Sequence, residues 1–151
     1  MTPVTASAPA LTSAEVPNFY TQAAQLEKMT LADSAPWLYS ALAQLRDLEE
    51  LGAVRAGLGD LRVADRTAMT ARLLFSLINL ADLPVPVVSP VSGGSVSVIW
   101  SMGPKEVKFS CYPDGQAIYF RCKDDDVLED GRVDLSVADS VRTPLNWMVQ
   151  A

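Results

Sequence analysis

The chain has 151 residues, 49% of them hydrophobic and 20% charged, so it can bury one core and is too apolar to be disordered throughout. Twelve basic and eighteen acidic residues give a net charge of -6, which argues against direct binding to nucleic acid or to an anionic membrane surface. The sequence contains no histidine, which excludes the commonest general base and the commonest transition-metal ligand.

The amino-terminal residues show no sign of a targeting segment. Residues 1–16 contain neither lysine nor arginine and no unbroken apolar run, so we expect no secretory signal and a cytoplasmic protein. No run in the sequence approaches the roughly 18 apolar residues of a membrane-spanning helix. Residues 1–15 are rich in Thr, Ser, Ala and Pro without periodicity, and this composition predicts a flexible arm. Residues 16–151 are predicted to form a single domain.

Helical spacing of apolar residues dominates the first half of this domain, residues 18–82. A short helix is predicted over residues 18–29. A longer helix is predicted to begin at Asp33 or Ser34 and to end near Gly52 or Gly57. Its apolar residues recur at the spacing of one helix face, namely Leu38, Ala41, Leu42, Leu45 and Leu48.

The next predicted helix begins at Asp65 or Arg66 and runs to about Asp82, where Pro84 stops it. It carries two apolar stripes instead of one. Such a helix is either central to the fold or uses one stripe to contact another chain. The second stripe is therefore a candidate oligomer interface, formed by Met69, Leu73, Leu77 and Leu80.

After Gly93 and Gly94 the apolar residues no longer recur at helical spacing. They occupy every second position instead, as in a β-strand. Three antiparallel strands are predicted from SVSVIWS, KEVKFSC and QAIYFRC, and a fourth from RVDLSV, within residues 95–137. The preceding segment LPVPVVSP contains three prolines, so we expect an extended connection with little chance of joining the centre of a sheet. Residues 139–151 are predicted to close the core with a short helix.

The register of the last hairpin follows from its turn. A two-residue turn at Asp114 and Gly115 would pair Cys111 with Ile118 and would collect the apolar side chains on one face of the sheet. We therefore predict an α+β fold in which two main helices pack on one face of a three- or four-stranded antiparallel meander. The opposite, exposed face would then carry Lys108, Tyr112, Tyr119 and Arg121.

One resemblance rests on four features: the segment LPVPVVSP, the Gly93-Gly94 pair, an alternating strand that ends at Trp100, and a Leu-Asn-Trp motif near the end of the chain. Together they resemble a loose group of small uncharacterised bacterial proteins. Its members look like accessory proteins encoded near mobile elements and near toxin-antitoxin or defence genes. The resemblance covers about residues 65–150 and implies no catalytic residue.

The most concentrated charge in the chain is an acidic run formed by Asp124, Asp125, Asp126, Glu129 and Asp130. The run does not provide the ligand spacing of a calcium-binding loop, so no metal is predicted. Two interpretations stay open: a solvated hairpin loop, or an electrostatic contact with a basic partner protein. The predicted exposed sheet face is either ordinary polar surface or a second candidate contact, because Tyr and Arg are favoured at interface centres, through Tyr112, Tyr119 and Arg121.

The two cysteines, Cys111 and Cys122, are predicted to be buried free thiols on the same sheet face, because no histidine is available to activate them. No cofactor is predicted. We therefore expect a non-enzymatic, stoichiometric protein-binding factor. The resemblance implies an inhibitor or antitoxin-like factor that acts on a basic surface of a bacterial or phage enzyme. The alternative is a structural or oligomerising subunit of a larger assembly.

Overall fold

The computed structural model of the chain describes residues 35–54 and 62–150. These residues form three helices and one five-stranded antiparallel sheet, so the predicted α+β class is confirmed. The sheet has five strands instead of three or four. The predicted arm at residues 1–15 and the predicted helix at residues 18–29 lie outside the described residues.

The helices are α1 at Pro36–Val54, α2 at Asp65–Ser76 and α3 at Asp139–Val149. In the described part of the chain, no helix is long and apolar enough to cross a membrane. Pro36 opens α1, where its missing N–H would have had no partner within the helix.

Helix α2 ends earlier than its apolar pattern predicts, at Ser76 instead of near Asp82. Side chains from the other two helices bond to the backbone that follows it. The Arg142 Nε donates to the Leu77 carbonyl at 2.7 Å, and the Trp37 Nε1 donates to the Leu80 carbonyl at 2.7 Å. These tertiary bonds satisfy carbonyl groups outside a helix, so the segment does not need to continue as one.

The strands lie side by side in chain order, as β1 Val87–Val91, β2 Ser95–Met102, β3 Lys105–Cys111, β4 Ala117–Lys123 and β5 Asp126–Arg132. The three predicted strands are β2, β3 and β4. The proline-rich connection forms an edge strand, β1, where a residue without an N–H is tolerated. The acidic run itself forms the other edge, β5, so the prediction of a strand at RVDLSV is wrong.

The predicted register between β3 and β4 is wrong by one residue, because the turn has three residues instead of two. Cys111 pairs with Ala117, not with Ile118. The Gly115 N–H donates to the Tyr112 carbonyl at 3.0 Å, and Gly115 has a φ of 88°. Pro at position 113 favours this type of turn, and a left-handed glycine closes it.

This slip turns every side chain of β4 to the other face of the sheet. We call the face with Trp100 and Phe109 the inner face and the opposite face the outer face. Tyr119 and Arg121 lie on the inner face, so their predicted place on the exposed face is wrong. The outer face receives three half-buried side chains, Ile118, Phe120 and Cys122.

Trp100 lies at the centre of the core and is fully buried. Its ring meets those of Trp37, Phe75 and Phe109 edge to face, with centroids 5.5 Å, 6.3 Å and 5.9 Å away. Such T-shaped pairs favour defined ring orientations in addition to burying apolar area. The same buried cluster includes three residues of α3, Val141, Leu145 and Met148.

Candidate protein-binding surface

The acidic turn, which we define as Asp124, Asp125 and Asp126, joins β4 to β5. Lys123 pairs with Asp126, so the turn itself has two residues. Asp124 and Asp125 have φ values of 52° and 68°, the left-handed conformation that a tight hairpin turn of this kind requires. All three aspartates are exposed. The turn therefore presents neighbouring carboxylates from a short, well-defined backbone.

The acidic turn lies beside the turn between β2 and β3. The Asp124 N–H donates to the Pro104 carbonyl at 3.0 Å and joins the two turns. Between them is a polar depression of about 250 Å³. Glu106 and Lys105 of β3 line it together with Asp124 and Asp125, so one further carboxylate and one cation lie beside the acidic turn. Sequence reasoning missed Glu106, because only the strand order brings the two turns together.

The other two acidic residues of the run lie on opposite faces of β5. Glu129 pairs with Arg121 on the inner face, and Asp130 pairs with Phe120 on the outer face. A bulge opposite Arg121 and Cys122 adds one residue to β5 and shifts the alternation there. Across residues 35–54 and 62–150, no group of three acidic or cysteine side chains is close enough to hold a metal ion.

Glu129 belongs to a network between β4 and β5. Its carboxylate lies 3.8 Å from the Arg121 Nε. Partial burial, and then the nearby Glu129 carboxylate, raises the pKa of Tyr119. The tyrosine ring lies against Gly131, where a Cβ atom would be only 2.9 Å from its Cε1. These contacts join β4 and β5 on the inner face of the sheet.

Arg121 also contacts helix α3. Its Cζ lies 4.9 Å from the centre of the Trp147 ring, and the Lys105 Nζ lies 5.0 Å from the same ring. Lys105 donates to the carbonyl oxygens of Trp147 and Gln150, where a cation is favoured at the end of a helix. Both cations therefore anchor α3 to the sheet.

Tyr112 is separated from the acidic turn by the length of β4. It is half-buried beside the turn between β3 and β4, roughly 20 Å along the strand from the acidic turn. The structure thus places the predicted aspartates of the acidic turn together and distributes the remaining candidates. Those are Glu129, Tyr119 and Arg121 in the network, Asp130 on the outer face and Tyr112 at the opposite end.

The candidate oligomer stripe does not form a continuous exposed face. Leu73 is buried, and Leu77 and Leu80 pack against the core. Met69 is half-buried and lines a small hollow of about 50 Å³ beside the turn at Gly115. Most of this second apolar stripe is therefore engaged within the domain.

The two cysteines lie on opposite faces of the sheet, and both are free thiols. The prediction that they share a buried face is wrong, because the register slip moves Cys122 to the outer face. Burial raises the pKa of Cys111 to about 12. Partial burial, and then the nearby Glu106, also raises the pKa of Cys122. Neither thiol is activated as a nucleophile at neutral pH.

The chain matches no protein-family model. A search of curated proteins and a search of solved structures also found no match. Function is therefore inferred from the charges, exposure and contacts of this chain's own residues.

Proposed function

We propose that this protein is a non-enzymatic binding factor that contacts a basic surface of a partner protein through the acidic turn. The observation that carries the proposal is the exposure of Asp124 and Asp125 on a two-residue turn and of Asp126 beside them at the start of β5. Because the strands hold the turn in place, little conformational entropy is lost when a partner binds it.

The charge of the whole chain supports the same role. The net charge of -6 has the sign of the acidic turn, so it attracts a basic partner before contact forms. Glu106 adds negative charge at the adjacent turn. Electrostatic attraction of this kind raises the association rate more than it slows dissociation.

The chemistry of the thiols supports a binding role over a catalytic one. Both cysteine pKa values are raised, and the sequence contains no histidine that could act as a base beside a nucleophile. The resemblance to accessory proteins encoded near toxin-antitoxin and defence genes supports a bacterial or phage enzyme as the partner. An inhibitor or antitoxin-like factor would block a basic surface on that enzyme.

A selection of displayed random peptides tests this function without a known partner. We expect Lys- and Arg-rich peptides to be enriched on the parent protein. The variant Asp124→Asn, Asp125→Asn, Asp126→Asn should lose them, because it removes the charge of the turn and keeps residues that tolerate a left-handed conformation.

The matched control changes three exposed acidic residues outside the acidic turn, as Asp47→Asn, Glu50→Gln and Asp82→Asn. It alters the net charge equally and should retain the basic peptides. Absence of basic peptides from the parent's selection, or equal retention by both triple variants, would overturn the proposal. A mass in solution that rises with concentration, and returns to that of a monomer with Met69→Glu, would instead support the oligomerising subunit.

A further inference from the structure

The edge of the sheet at β1 is closed to a further strand. Pro86 and Pro90, which both lack an N–H, occupy two of the positions on its outward side. Between them, the Val88 N–H donates to the Gln44 Oε1 at 2.9 Å, and the Gln44 Nε2 donates to the Pro86 carbonyl at 2.8 Å. One side chain of α1 thus takes the place of a neighbouring strand.

The edge at β5 is open. The Val133 N–H donates to the Ala117 carbonyl at 2.8 Å, so alternation along the pair directs the backbone groups of Asp130 and Arg132 away from β4. Every β5 residue except Gly131 is exposed. Among the residues that the structure describes, β4 is the one strand that pairs with β5. In the described part of the chain, the outward donors and acceptors of β5 therefore have no partner strand.

The side chains of β5 determine which kind of extended segment can pair with its outer edge. Val127 and Leu128 are 59% and 50% exposed, which offers apolar contact to a neighbouring strand. Asp126 on the inner face and Asp130 on the outer face favour lysine or arginine near them, whereas Arg132 at the other end of the strand does not. Two copies of this chain would instead repel each other, because each carries a net charge of -6.

We propose that β5 is a strand-addition site, at which an extended basic segment of the partner protein pairs with the outward backbone groups of Asp130 and Arg132. This inference rests on the proposed function and specifies its partner chemistry: an extended segment that combines Lys or Arg with apolar residues. Backbone hydrogen bonds supply affinity, and the acidic side chains supply selectivity.

Charges on an edge strand also have a protective role, because they discourage uncontrolled pairing between molecules. A pair of variants at one position separates this role from strand addition. Asp130→Pro removes both the carboxylate and the outward N–H, and it breaks no hydrogen bond to β4. Asp130→Ala removes the same carboxylate and keeps the N–H.

The probe is an acetylated and amidated heptapeptide of alternating Lys and Val, titrated by fluorescence anisotropy. We expect Asp130→Pro to bind it about ten-fold more weakly than Asp130→Ala, because one backbone hydrogen bond to the peptide is lost. The same peptide with alternate backbone nitrogens methylated should bind more weakly to the parent. That second comparison needs no variant and stands even if Asp130→Pro fails to fold.

Equal affinity of Asp130→Pro and Asp130→Ala, equal affinity of the methylated and unmethylated peptides, or no binding of the peptide to the parent would overturn strand addition. If the triple Asn variant of the acidic turn still loses basic peptides, the proposed function survives and the contact is made by charge alone. If the triple Asn variant retained the basic peptides as well as the parent does, both proposals would be overturned. Self-association of the parent that Asp130→Pro abolishes would assign the edge to a second copy and overturn the basic segment.

Discussion

At the residue scale, the two positive φ angles of Asp124 and Asp125 connect stability with binding. L-residues avoid this conformation, and Asp accepts it at a smaller cost than most because its side chain is short and polar. Two adjacent carboxylates at one turn also repel each other. Asn or Gly at these two positions would make the turn more stable. The aspartates therefore add negative charge to the turn and lower the stability of the domain.

This argument predicts that Asp125→Gly stabilises the domain. Glycine adopts a φ of 68° without a steric penalty, so the free energy of unfolding should rise by about 1 kcal/mol. Chemical denaturation measures the change. Asp126→Gly is the control, because Asp126 has no positive φ and glycine weakens a strand, so it should lower stability. A fall in stability for Asp125→Gly would show that the turn is not held in the left-handed conformation.

At the element scale, the strand that carries Tyr119 and Arg121 is the one whose orientation the sequence leaves ambiguous. The segment AIYFRC has apolar residues at both parities, so alternation alone does not choose which side of β4 is buried. The turn decides: Pro113 and the left-handed Gly115 build three residues where two were predicted. Trp147 of α3 then receives Arg121 on the inner face.

The register of β4 predicts which of the two thiols is alkylated faster. Cys111 is fully buried on the inner face, and Cys122 is half-buried on the outer face. Under native conditions, iodoacetamide at mildly alkaline pH should modify Cys122 well before Cys111, since access and thiolate fraction are both lower at Cys111. Mass spectrometry of the two cysteine peptides follows the reaction, with the denatured chain as the control. Equal slow labelling of both thiols would support the rejected register.

Some of the other elements follow from their local sequence pattern, and others depend on contacts with residues far away in the sequence. Helix α1 and strands β2 and β3 follow from spacing within their own segments, and the structure confirms them. The end of α2 depends on Trp37 and Arg142, which lie far away in the sequence. The outward Val88 N–H of β1 bonds to Gln44, which lies 44 residues earlier in the chain, and no local sequence pattern predicts this contact. The acidic run was evident from the sequence, but its neighbour Glu106 required the strand order.

At the scale of the whole molecule, the sheet has one closed edge and one open edge, and the acidic turn lies at the start of the open one. Trp100 and Phe109 of the inner face belong to one buried cluster that also contains residues of all three helices. Charge, exposed apolar side chains and free backbone groups therefore coincide along β5. This distribution fits a domain whose rigid interior supports binding at one side.

The most direct test of the central claim, that the acidic turn attracts a basic partner, is the association rate constant of the alternating Lys-Val peptide at low and high salt. Three proteins are compared: the parent, the triple Asn variant of the acidic turn, and the triple control at Asp47, Glu50 and Asp82. We predict that the triple Asn variant associates about ten-fold more slowly at low salt and loses most of its salt dependence, whereas the control stays near the parent. Equal slowing of both triple variants, or no slowing of either, would contradict the claim.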